Sequence, residues 1–319
     1  MILSVSRRTD IPAFYSKWFF RRLEEGCVLV RNPMNHRQVS SIALSPSTVD
    51  CIVFWTKDPS AMLDRLDNLS GYHYYFLITV NAYGKNIERN LPDAQRIVGA
   101  FRTLSGRIGP KRTVWRYDPI IITDSMDIEY HCRHFGELAS LLDGYTERCI
   151  ISFFDEYQKT RRNMRGIGVV EPDDELMTEL AARLSEIACR HGIRMYSCCE
   201  NIDPARTGVE HGSCIDAGLI SEITGKQLSA GKDKNQRDTC RCAESVDIGA
   251  YNSCGSGCRY CYANYSDETV RSNMQKHDPD SPMLVGNIEP GDRITQRDMR
   301  SLFRPCGSQV SIDDLYRSE

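Results

Sequence analysis

Tyr74-Tyr75-Phe76-Leu77-Ile78, running directly into Thr79-Val80-Asn81, is the stretch on which the fold turns. Five large apolar residues in succession leave a strand no face for water, so both of its faces must be covered. Strands of that kind belong to parallel sheets, whose neighbours are joined by helical crossovers. The helical spacing of residues 91–104 supplies one.

The same grammar repeats on either side. Ile2-Leu3-Ser4-Val5-Ser6 runs into Arg7-Arg8-Thr9-Asp10 before a helical stretch at 18–25, and Cys51-Ile52-Val53-Phe54-Trp55 runs into Thr56-Lys57-Asp58-Pro59 before one at 61–69. Thr113-Val114-Trp115 meets Arg116-Tyr117-Asp118-Pro119 and a helix at 128–142, and Cys149-Ile150-Ile151-Ser152-Phe153-Phe154 meets Asp155-Glu156-Tyr157 and a helix at 173–189. Ile193-Arg194-Met195-Tyr196 meets Ser197-Cys198-Cys199-Glu200, and the apolar run at 246–251 meets a cysteine loop followed by a helix at 266–275. Seven β-then-α units predict an α/β fold of the (β/α) TIM-type barrel kind, full or partial, with seven to eight strands. Each polar cluster then falls at a strand's carboxyl end, where such barrels carry their active sites. Residues 1–275 form the barrel on this reading, with a Cys-rich insertion at about 198–242 and a cluster loop at 254–261. Residues 276–319 are a C-terminal tail packing on it.

At 319 residues with 41% hydrophobic and 26% charged side chains, the composition is that of a globular enzyme. No apolar run reaches the roughly 18 residues that span a bilayer, and Met1-Ile2-Leu3-Ser4-Val5-Ser6-Arg7 does not read as a signal peptide. A cytoplasmic protein is expected. A net charge of −3 offers polyanions no long-range attraction, so nucleic acid is not an expected partner. Fourteen cysteines without an export signal point to metal or cluster ligation rather than disulfides.

The chemistry concentrates in Cys254-Gly255-Ser256-Gly257-Cys258-Arg259-Tyr260-Cys261-Tyr262-Ala263-Asn264. Three thiols at this spacing can hold three corners of a [4Fe–4S] cluster and leave the fourth iron without a protein ligand. A structural zinc site is the alternative, although such sites usually pair two knuckles to reach four ligands. The loop resembles that of the radical SAM superfamily, which usually has an aromatic residue before the third cysteine, as Tyr260 is here. The resemblance implies that the open iron binds S-adenosylmethionine and that reduction releases a 5′-deoxyadenosyl radical, which abstracts hydrogen from a substrate. It also implies a flavodoxin- or ferredoxin-type reductant and places Tyr260 near the adenine.

Ser6-Arg7-Arg8-Thr9-Asp10-Ile11-Pro12, Phe54-Trp55-Thr56-Lys57-Asp58-Pro59, Trp115-Arg116-Tyr117-Asp118-Pro119-Ile120 and the closing Cys-rich segment together resemble the family called domain of unknown function 1848. The usual radical SAM cluster loop follows the first barrel strand. Here it follows the last clear one, so the order looks circularly permuted. The Cys-x-Tyr-Cys-Tyr pattern also resembles the spore photoproduct lyases, which would direct the radical at DNA.

A second cysteine group comprises Cys199, Cys214, Cys240 and Cys242, with Cys198 or His211 able to replace any one of them. The surrounding residues 207–238 are rich in Gly, Lys, Asp and Ser, so a metal rather than an apolar core is expected to order them. An auxiliary [4Fe–4S] cluster and structural zinc both remain open, and the resemblance leans toward the cluster. At the strand ends, Arg7, Arg8 and Arg116 are candidates for a carboxylate or phosphate of cofactor or substrate, with ion pairs to Asp10 or Asp118 as the bland alternative. Lys57 offers a cation to an anionic small-molecule substrate or simply neutralises Asp58. Asn81 could bind ribose hydroxyls or serve a turn, and Glu200 the SAM amino group. Asp155 and Tyr157 are candidates for proton or hydrogen-atom transfer. Tyr262 is expected to pack under the cluster, and His131 to be a surface or helix residue. Two readings without radical chemistry compete: a zinc-stabilised binding protein, and a metal-dependent barrel hydrolase. The first four strand ends carry no His, which counts against the hydrolase.

Overall fold

The computed structural model describes residues 1–155, 158–200 and 202–304. Its strands, in chain order, are β1 Ile2–Val5, β2 Cys27–Arg31, β3 Gln38–Ala43, β4 Cys51–Thr56, β5 Tyr74–Thr79, β6 Thr113–Ile120, β7 Arg148–Phe153, β8 Arg194–Ser197, β9 Glu210–His211, β10 Val246–Asp247 and β11 Arg293–Gln296. Eight of them form one sheet in the order β10-β1-β4-β5-β6-β7-β8-β9, and every pairing in it is parallel. Begun at β10, the spatial order follows the chain order. β9 and β10 are the two ends of the ladder, and among the described residues no pairing joins them.

Both faces of this sheet are covered, as the continuous apolar runs require. On one face Leu3, Phe54, Phe76, Trp115 and Ile151 pack with Phe101, Phe135 and Leu184 of the crossover helices Ala94–Ile108, Ile128–Leu142 and Asp174–Arg190. Fully burying each such side chain stabilises the fold by roughly 1.5–3 kcal/mol. Asp127 and Asp173 accept the backbone N–H of Tyr130 and Leu176, which caps two of these helices and fixes where they start. On the other face Ile2, Val53, Tyr75, Leu77 and Ile150 pack against Ile215, Leu219, Ile220, Cys240 and Cys242. The insertion after β8 therefore does have an apolar core, contrary to the expectation from its polar composition. Its few apolar residues are spent on the sheet, and its helix Ala217–Thr224 is capped by Asp216.

The crossovers differ from expectation in two places. Residues Ser60–Leu69 wind as a 3-10 helix, and the first unit carries an extra hairpin after helix Ser16–Glu25. Gly26, at φ +72°, ends that helix and releases the chain into β2. β2 pairs antiparallel with β3, and β11 from the C-terminal region adds parallel to β3, giving a second, three-stranded sheet. Among the described residues no helix is long and apolar enough to cross a membrane.

Candidate functional site

The cysteine loop leaves β10 at its carboxyl end, beside the end of β1, and is held there from two sides. Asn90 N–H donates to the carbonyl of Ser256 at 3.2 Å, Arg259 N–H to that of Ile87 at 3.0 Å, and the Asn90 amide to that of Gly255 at 2.9 Å. Within the loop the Asn264 amide donates to the carbonyl of Cys254 at 2.8 Å. Gly257 lies at φ +64°, and a Cβ there would stand 2.6 Å from the Asn90 amide nitrogen, so the close approach needs glycine. Cys254, Cys258 and Cys261 are each partly exposed. Burial of their sulfurs pushes all three thiols up, Cys254 to about 12, and the charge of Cys261 contributes at both other sites. The three sulfurs thus share one space, yet no sulfur–sulfur hydrogen bond joins them among the described residues.

Next to Cys258 lies a polar knot that the sequence did not announce. Lys57 Nζ pairs with Glu88 Oε1 at 2.7 Å, and the same carboxylate accepts the Tyr260 hydroxyl and, at 3.3 Å, the Asn81 amide. Lys57 also stands 5.4 Å over the Tyr260 ring. Burial works against the Lys57 ammonium, but Glu88 and the neighbouring Cys258 outweigh it and hold its pKa above the ordinary value. Lys57 therefore neutralises Glu88 rather than Asp58. Asn81 is buried and closes onto Asp118, accepting its N–H and donating to its carbonyl, both at 3.0 Å. Asp10 is buried beside Cys254, accepts N–H bonds from Lys57 and Ala13, and is raised to about 6, burial being the main cause.

A second cluster lies at the ends of β1, β4 and β6. Arg7 and Arg116 both stack on Trp55, at 5.6 and 5.0 Å from its ring. Arg7 pairs with Asp233 at 2.9 Å, Arg116 with Asp118, and Arg8 with Asp247 at 3.9 Å. Of the expected ion-pair partners, Asp118 is used by Arg116, while Asp233 and Asp247 take the other two. Asp247 also accepts Ser4, Ser6 and the backbone N–H of Arg7, which locks β10 to the end of β1. Three donors here, Arg7 Nη2, Trp55 Nε1 and Arg116 Nε, are buried with no hydrogen-bond partner among the described residues. Unsatisfied donors cost about 1–3 kcal/mol each, so a group that accepts them would bind favourably.

Glu200 accepts the backbone N–H of Phe153 at 2.8 Å, and burial with Asp155 nearby raises it to about 7. Asp155 is exposed and paired with Arg237. Tyr157 lies outside the described residues. Tyr262, expected under the cluster, is 49% exposed, and its hydroxyl reaches back to the carbonyl of Arg7.

The second thiol group converges from three segments over the sheet's inner end. The sulfur of Cys198 is 3.8 Å from that of Cys199 and 3.5 Å from that of Cys214, and it also interacts with Cys240 and Cys242. Cys199 has φ +65°, an unusual conformation for a non-glycine residue, and this turn lets two consecutive thiols join one group. Hydrogen bonds from Cys198 and Cys240 hold the Cys199 thiol down to about 3, and Ile215 N–H donates to the Cys242 sulfur at 3.4 Å. Among the described residues no three His, Cys, Asp or Glu side chains already stand at metal-holding geometry. His211 is on β9.

With this geometry in hand, the chain matches over residues 2–263 the family model described as Domain of unknown function (DUF1848). It belongs to that family. The DUF1848 match ends two residues after Cys261 and so takes in both thiol groups and all eight strands of the large sheet. No curated protein matches the chain. Sequence reasoning missed Glu88, whose partners are 31 and 172 residues away, and Asp247, for which a lone carboxylate in an apolar run was the available signal.

Proposed function

We propose that this DUF1848 chain is a radical S-adenosylmethionine enzyme acting on an anionic small molecule, on a partial (β/α) barrel permuted so that its cluster strand comes last. The observation that carries the reading is the Cys254/Cys258/Cys261 loop at the carboxyl end of β10, with three separated thiols facing one space. A cubane binds each thiolate through a different iron, so sulfurs that share a space without touching suit it. The strand order, which runs consecutively from β10, supports the permutation.

Cys254, Cys258 and Cys261 would hold the [4Fe–4S] cluster, and Asn81, Glu88, Lys57 and Tyr260 would line the adjoining S-adenosylmethionine site. When bound and reduced by a flavodoxin- or ferredoxin-type partner, the pair would supply a 5′-deoxyadenosyl radical for hydrogen abstraction. Lys57 orients Glu88 there, so its carboxylate can accept hydrogen bonds from a ligand as it does from Tyr260. Arg7, Trp55 and Arg116 each carry a buried donor with no partner among the described residues, which supports a carboxylate or phosphate as the group they would hold. Arg8 is spent on Asp247, and its role is to fix β10 against β1. Asp155 and Tyr157 remain the candidates for proton or hydrogen-atom transfer, and Glu200 for the S-adenosylmethionine amino group.

The test is anaerobic incubation of iron-reconstituted protein with dithionite and S-adenosylmethionine. Release of 5′-deoxyadenosine and methionine, absent in Cys258→Ala, is expected. A wild-type protein that takes up no iron and releases neither product would overturn the reading.

A further inference from the structure

The five thiols of the insertion are spaced differently from those of the loop, and the spacing carries its own argument. Around one tetrahedral ion with metal–sulfur bonds of about 2.3 Å, neighbouring sulfurs stand about 3.8 Å apart. Cys198 and Cys214, from separate segments, bring their sulfurs to 3.5 Å, near that spacing, and Cys199, the chain neighbour of Cys198, stands at 3.8 Å from it. Thiolates on separate irons of a cubane are held further apart than this. The loop thiols, which make no such contact, provide the comparison within the same molecule.

We propose that Cys198, Cys214, Cys240 and Cys242 bind a single structural zinc ion, with Cys199 as a fifth thiol outside its coordination sphere. Cys198 belongs in the set because its sulfur meets that of Cys214, a buried thiol sixteen residues further along the chain, at 3.5 Å. Cys214, Cys240 and Cys242 are buried at 3% exposure each, as closed structural zinc ligands are. Cys198 and Cys199 are both partly buried, and of the two only Cys199 sits at a positive φ, +65°. Binding displaces the remaining thiol protons to solvent and leaves a tetrathiolate of net charge −2. Arg7 beside Cys242 and Arg116 beside Cys214 offset that charge. The Ile215 N–H already donates to the Cys242 sulfur, a bond that strengthens once the sulfur is a thiolate. The ion would fasten residues 198–242 over the sheet, completing what their small apolar core begins.

This assignment stands apart from the radical reading, and its test is chosen accordingly. Zinc-edge X-ray absorption on the intact protein should give about four sulfurs at about 2.3 Å and no metal–metal scattering. Zinc content should stay near one per chain in Cys199→Ser and in a variant with Cys254, Cys258 and Cys261 all changed to Ala. It should fall at least tenfold in Cys198→Ser. Iron and sulfide in the triple-Ala variant, or equal zinc loss from Cys199→Ser and Cys198→Ser, would overturn the proposal. The absorption measurement needs no variant, so misfolding of Cys198→Ser does not remove the test.

Discussion

Cys254, Cys258 and Cys261 lie in one short loop and keep their sulfurs apart, whereas Cys198, Cys199, Cys214, Cys240 and Cys242 arrive from three segments and touch. Both groups sit at the carboxyl end of one parallel sheet. The difference lies in what holds them. The loop is pinned by backbone hydrogen bonds to residues 87–90. The insertion rests on a small apolar core and on thiol contacts, so its order depends on what the thiols bind. A pre-shaped loop with an open space suits chemistry, and a collapsed thiol knot suits fastening.

The comparison can be broken most sharply at Cys258. Cys258→Ala should abolish S-adenosylmethionine cleavage and release the loop's iron while zinc stays bound, checked by product assay and metal analysis. Loss of both metals together would merge the two groups into one.

Arg148 tests the opposite side. It is 7% exposed and pairs with Asp216 and Glu222, both at 2.9 Å, anchoring helix Ala217–Thr224 of the insertion. The acids are 25% and 43% exposed, so Arg148→Met should cost about 1–2 kcal/mol rather than the full price of a buried pair. Thermal unfolding should report the loss, and zinc should transfer to a chelator faster while the loop's iron content is unchanged.

Lys57 asks whether the loop's polar knot serves catalysis. Lys57→Met removes a charged hydrogen bond of about 1.5–3 kcal/mol, so product formation should fall about ten- to a hundredfold. Zinc content should not move. Unchanged turnover would make the Lys57–Glu88 pair a purely structural feature.

The smallest effect belongs to the frame that both groups share. His131 is fully buried in helix Ile128–Leu142, hydrogen bonded to the Tyr117 hydroxyl at 2.8 Å and the Ile121 carbonyl at 3.0 Å, and burial lowers it to about 4. An unfolded chain takes up this proton near 6.5, so the contribution to stability is complete above that pH and is lost as the pH falls toward 4. Denaturant unfolding should show about 1 kcal/mol lost for the first pH unit below 6.5, and His131→Gln should flatten that dependence.

How much could be read beforehand follows from the range of the forces involved. Strands such as β4, β5 and β7 were legible because burial on both faces leaves a continuous apolar signature, and the start of helix Ile128–Leu142 because Asp127 caps it locally. β2 and β3 were not, since a βα grammar predicts a crossover there, and the apolar run Cys27-Val28-Leu29-Val30 directly follows the helix Ser16–Glu25 with only Gly26 between them. The two-residue β9 leaves no periodicity to detect. In the site, cysteine spacing exposed both thiol groups, but the central position of Cys198 depends on three segments meeting. Glu88 is the plainest case: nothing near Asn86-Ile87-Glu88 says that Lys57 and Tyr260 will converge on it. The interior position of His131 likewise follows from packing on β6, where local sequence gives only a helix.

Counting iron, sulfide and zinc per chain after anaerobic purification, for wild type and Cys258→Ala, tests the contrast between the two thiol groups most directly. About four irons, about four sulfides and about one zinc are expected in the wild type, with the zinc alone persisting in the variant. About eight irons without zinc would make the second group a cluster, and zinc without iron after reconstitution would remove the radical chemistry altogether.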